Sequence, residues 1–158
     1  MSKKVLAKTL IMGIGNPILT DDGVGILVGK MIKKQVPDVN FIDISATGLA
    51  ILDEMEGYDR VIIIDSVKTG EHEPGKLIKI SLDDLSSAVN LSTYHNVNLP
   101  TALEFGDKYY KSLPSKDNIS IYGIEIEDNI TFSEKLTEKV GNSVDSIVSR
   151  IIREELNA

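Results

Sequence analysis

The chain has no cysteine, so it can form no disulfide, offers no thiolate nucleophile and cannot build a Cys-type zinc site. That absence fits a reducing compartment. It also lacks an excess of positive charge: 17 basic residues face 24 acidic ones, for a formal net charge of −7. Such a chain has no phosphate-seeking field, which argues against a nucleic-acid partner and against an anionic membrane surface. No G-K-[ST] run occurs, so a P-loop is excluded. The apolar run in "MSKKVLAKTLIMGIGNP" is too short and too interrupted for a membrane helix and has no small-residue cleavage site. A cytoplasmic protein is expected. With no internal repeat, low-complexity tract or Pro/Gly/Ser linker, residues 1–158 read as a single domain.

What is present is alternation of strand and helix signals. "AKTLIMGIG" (7–15) is a near-continuous apolar strand, of the type buried on both faces. Val24, Leu27, Val28, Met31, Ile32 and Val36 recur at helical spacing, and Pro37 stops that helix. "VNFIDI" (39–44) is a second strand. "TGLAILDEMEGY" is a helix ending at Gly57, and "RVIIIDSV" (60–67) is the strongest strand signal. "KLIKI" (76–80) follows over a connection too short for a helical crossover, so it is expected to run antiparallel to its predecessor. "SLDDLSSAV" reads as a short helix, "STYHNVN" as a polar loop, and "LPTALEFGDKYYKSL" as a helix with Asn98 as its N-cap. "NISIYGIEI" (118–126) is the last strand. Leu136, Val140, Val144, Ile147, Val148, Ile151 and Ile152 mark one closing amphipathic helix. The pattern predicts an α/β fold: a three-layer α/β/α sandwich around a mostly parallel five-stranded sheet with one antiparallel strand.

Sheets of this kind bind ligands beyond the carboxyl ends of their strands. Asp22, Asp43, Asp65, His95, Glu125 and Glu127 fall in loops or strand ends at that edge. One of Asp21 and Asp22 is expected to cap the helix that follows, which leaves the other without a local task and repelled by its neighbour unless a cation is near. Asp43 and Asp65 could each bond the backbone of their own turns. Glu125 and Glu127 alternate along a strand and are expected to be solvated or to cap the next segment. His72 lies in a surface-type turn and has no assigned role. Two carboxylates and one imidazole from three separate loops could form half a shell for a borderline divalent metal, with open positions for substrate.

The opening loop, "GIGNPILTDDGVG", begins like a dinucleotide-binding turn. Ile18 stands where the third glycine belongs, and the acid pair would repel a pyrophosphate. "GIGNP" also resembles the start of peptidyl-tRNA hydrolases, but the Thr-Arg-His-Asn run that follows there is missing. A nucleotide-binding module, a peptidyl-tRNA hydrolase-like enzyme and a conventional metal-dependent hydrolase are the alternatives. The four glycines of this loop (13, 15, 23 and 25) are expected to let a partner chain approach closely.

Taken together, "GIGNPILTDDGVG", "VIIIDSVKTGEHEPG", "STYHNVNL" and "YGIEIED", in this order, resemble the maturation endopeptidases of [NiFe] hydrogenases over nearly the whole chain. The family's Asp-Gly-Gly-Thr-x-Gly loop is here "DISATG", and Ile126 replaces the proline after Gly-Ile-Glu. The resemblance implies a protease that removes the C-terminal extension from the precursor of a hydrogenase large subunit. It makes Asp22, Asp65 and His95 the contacts to nickel, carried by the substrate and serving as recognition element. Asn16, Asp21, Asp43, Thr47 and Gly48 are candidates for the loops that meet the substrate. The expected partner is that precursor, with no nucleic acid and no membrane. Asp22 and His95 are expected to lie on the surface.

Overall fold

The computed structural model describes residues 7–44, 50–82 and 99–156. Five strands form one sheet: β1 (Thr9–Ile14), β2 (Asn40–Ile44), β3 (Arg60–Val67), β4 (Leu77–Ile80) and β5 (Ile119–Glu125), in the order β2-β1-β3-β5-β4. β2, β1, β3 and β5 are parallel, and β4 joins antiparallel to β5. "KLIKI" therefore has the expected direction, but its hydrogen-bonded neighbour is β5 and not β3, because β5 takes the place beside β3 and leaves β4 the outer edge.

The described helices are α1 (Val24–Gln35), α2 (Ala50–Met55), α3 (Leu99–Tyr109) and α4 (Glu138–Ile151), the last running on into a π turn over Ile152–Leu156. Alternation along β3 shows the layering. Ile62 and Ile64 pack with Val24, Val28 and Ile32 of α1 and Val144, Ile147 and Val148 of α4. Val61, Ile63 and Val67 pack on the other side with Ile51, Leu52 and Met55 of α2 and Leu103 of α3. A strand with both neighbours occupied and both faces covered must be apolar throughout, which is why "VIII" is unbroken. The expected three-layer α/β sandwich is what forms. Gly57, at φ +85, ends the α2 segment in the left-handed region as expected.

The stripe on α1 differs from the expected one. Gly25 and Gly29 are buried against the sheet, so the inward stripe is 24, 25, 28, 29 and 32, and Leu27 is turned out, 39% exposed. The "SLDDLSSAV" helix beyond residue 82, the "STYHNVN" loop and Asn98 lie outside the described residues. No helix among the described residues is long and apolar enough to cross a membrane.

Candidate active site

β1 leads to β2 on one side of itself, and the chain then crosses to β3 on the other. The carboxyl ends of β1 and β3 thus border a topological switch point, the crevice where open α/β sheets take their ligands. Asp22 reaches this crevice through a tight turn. Gly15, at φ +143, brings the backbone so close to the Asp22 carbonyl that a Cβ would overlap it. The Asn16 side chain accepts the Ile18 N–H at 3.2 Å across Pro17, and the Asn16 carbonyl accepts the Leu19 N–H at 3.1 Å. The Asp22 N–H then bonds the Leu19 carbonyl at 3.0 Å. The carboxylate folds back: its Oδ2 accepts the Asn16 N–H at 2.8 Å. Its Oδ1 accepts the Ser66 hydroxyl at 3.0 Å.

Ser66 is the hinge of the arrangement. Its N–H donates to Oδ1 of the preceding Asp65 at 2.7 Å, so one residue holds both carboxylates. Successive β3 side chains alternate between sheet faces. Asp65 thus leaves on the α2/α3 side and Ser66 on the α1 side, towards Asp22. Asp22 is 5% exposed and Asp65 1%. The expectation of a surface Asp22 is therefore corrected: the turn tucks it beneath Asn16 and against β3. Sequence reasoning passed over Ser66, although its opposite parity to Asp65 on a strand marked it as the residue facing the first loop.

The crowding glycines also have another use than expected. A Cβ on Gly23 would lie 2.6 Å from Pro17 Cα, and one on Gly13 2.8 Å from Ile26 Cα. On Gly25 it would overlap the Ile64 carbonyl oxygen. The space that these glycines leave is filled by the chain itself, which presses the start of α1 onto β1 and β3.

The other candidates are dispersed. Asn16 is half-buried in the turn just described, and Asp43 is exposed on β2, in register with Gly13. Asp21 is wholly buried and faces away from α1: it accepts from the backbone of Glu127, Asp128 and Thr137 and from the Thr137 hydroxyl. Neither acid caps α1, whose N-cap is Gly23 without a side-chain bond. Glu125 is buried, not solvated; it accepts the Thr69 N–H at 2.9 Å and also the Thr69 hydroxyl, tying down the loop after β3. Glu127 is exposed, as is His72. His95, Thr47 and Gly48 lie outside the described residues. Among the described residues no three His, Cys, Asp or Glu side chains are grouped to hold a metal ion. Asp22 and Asp65 supply two oxygen donors at the crevice, a set that suits a cation and repels phosphate.

A family profile described as hydrogenase maturation protease matches residues 8–154. The hydrogenase 2 maturation protease of Escherichia coli is 26% identical over 113 residues, covering 67% of this chain and 69% of that protein. Among solved structures, the nickel–iron hydrogenase maturation protease HybD from Thermococcus kodakarensis aligns with a TM-score of 0.72 at 20% identity, over 96% of this chain and 99% of that one. The hydrogenase maturating endopeptidase HybD from E. coli aligns with a TM-score of 0.74 at 19% identity, over 94% of each chain. At those identities the superpositions speak for the fold, whereas the profile spans nearly the entire sequence and carries the family. The chain belongs to the hydrogenase maturation proteases, and is an endopeptidase.

Proposed function

We propose that this endopeptidase removes the C-terminal extension from the precursor of a nickel–iron hydrogenase large subunit, and that it recognises nickel already held by that substrate. Asp22, Asp65 and His95 are the contacts. The single observation that carries this reading is the convergence of the two acids on Ser66 at the switch-point crevice. Carboxylates so placed attract a cation carried in by a polypeptide. Hydrogen bonds from Asn16 and Ser66 to Asp22 fix the orientation of its carboxylate. A cytoplasmic setting accords with the cysteine-free composition.

The test is to mix the protein with precursor, nickel-loaded or nickel-free, and weigh the products by mass spectrometry. Cleavage should occur with the loaded precursor alone. Equal cutting of the nickel-free form would overturn nickel recognition. Asp22→Asn is the informative variant: Oδ1 can still accept the Asn16 N–H while Nδ2 donates to a rotated Ser66 hydroxyl, so the turn survives and the charge is lost. Cleavage should fall by ~10²-fold or more. Normal processing by both Asp22→Asn and His95→Ala would remove these residues from the site.

A further inference from the structure

Asp21 and Asp22 are adjacent, yet only one is turned to the crevice. The Asp21 carboxylate is fully buried and saturated by one distant segment. Oδ1 accepts the Thr137 N–H at 2.8 Å and its hydroxyl at 3.1 Å. Oδ2 accepts the N–H groups of Glu127 at 3.1 Å and Asp128 at 3.0 Å, and the Thr137 hydroxyl at 2.9 Å. The Asp21 N–H donates to the Asp128 carbonyl at 2.9 Å.

The preceding residue is held by the same segment. Thr20 has φ +51, a region that a β-branched residue occupies only under constraint. Its N–H bonds the Ser133 carbonyl at 2.9 Å and its hydroxyl bonds the Thr131 carbonyl at 2.6 Å. Residues 127–137 thus over-determine the backbone at 20 and 21, the two positions from which Asp22 departs.

We propose that Asp21 is a positioning residue for cleavage: by gathering the 127–137 segment onto its carboxylate it sets the strained turn that aims Asp22 into the crevice. This rests on the reading of Asp22 given above. Mere filling of the space would need no carboxylate. A carboxylate fed by donors from both ends of one segment fixes an orientation, because every bond constrains the same two oxygens.

Asp21→Asn would turn an amide donor towards N–H groups and endangers folding, so Thr137→Val, nearly isosteric and lacking only the hydroxyl, is the primary variant. Two measurements are made on the full chain. Amide hydrogen exchange compares Asn16, whose N–H is held by Asp22, with Ile63 in the middle of β3. Cleavage of nickel-loaded precursor gives kcat/KM. Thr137→Val should speed exchange at Asn16 by ~10-fold with Ile63 unchanged and lower kcat/KM by ~10-fold, and Thr137→Ser should restore both. Unchanged Asn16 exchange, or equal acceleration at Asn16 and Ile63, would overturn the proposal by leaving Asp21 with no role or a purely global one. Failure of the unmodified protein to cut the precursor would instead sink the substrate assignment, and the Asn16 result alone would then decide the role of Asp21.

Discussion

Asp21 and Asp22 show how little a residue's neighbours in sequence determine its work. The dipeptide was legible as a pair of acids that could not both be idle. The family resemblance singled out Asp22, but what Asp21 does instead was not readable, since its partner Thr137 lies 116 positions away and no local pattern announces it. The glycines were misread for a similar reason: their spacing signals close approach, but not by which atoms. Gly25 now gives a sharp prediction at this scale. Its missing Cβ is replaced by the Ile64 carbonyl, backbone that cannot rotate aside. Gly25→Ala should cost about 3 kcal/mol or more of stability by overpacking, read as a lower midpoint in urea unfolding. An unchanged midpoint would show that α1 can lift from the sheet more freely than its packing indicates.

At the scale of elements, strands and helices were readable wherever apolar periodicity was strong. β1, β3, β5, α1 and α4 are where their patterns put them, because a buried parallel strand and an amphipathic helix each have a sequence requirement that nothing else satisfies. The place of β4 in the sheet was hidden, since its strand order depends on β5, which arrives 39 residues after β4 ends. Loops were least legible, and 127–137 illustrates why: its order comes from hydrogen bonds, not hydrophobicity. Within it, the Asp128 carboxylate accepts the Ile130 and Thr131 N–H groups, each at 2.9 Å. Bonds from the Thr131 side chain and N–H, and from Ile130, lower its pKa from 3.8 to about 2. The folded value lies below the unfolded one, so its contribution is present above pH 3.8 and is lost as the pH falls through about 2. In an NMR titration the amide shifts of Ile130 and Thr131 should move with a midpoint near 2. A midpoint in the ordinary carboxylate range, near ~4, would contradict this turn geometry.

For the whole molecule, the chain's last turn is fastened away from the crevice by a buried acid. Glu155 receives Arg60 from the start of β3, Lys79 of β4 at 3.1 Å and the Tyr122 hydroxyl of β5 at 2.7 Å. Burial pushes the Glu155 carboxyl up, but Tyr122, Lys79, Ser120 and Arg60 together hold it below its usual value. Burial and the same carboxylate push the Tyr122 hydroxyl up. Arg60→Met leaves this acid with fewer partners. Because the arginine side chain is itself 32% exposed, the loss should be about 1–3 kcal/mol, less than for a fully buried pair. Thermal unfolding followed by circular dichroism would measure it, and an unshifted midpoint would mean that Lys79 and Tyr122 suffice. The clasp of Asp21 by Thr137 bears on biosynthesis. A ribosome releases Asp21 116 residues ahead of Thr137, so over that stretch a growing chain carries Asp22 without the clasp that orients it. On the role proposed for Asp21, competence waits until Thr137 has emerged, and a fragment that stops short of residue 127 should be unable to cut, however well its first strands pair.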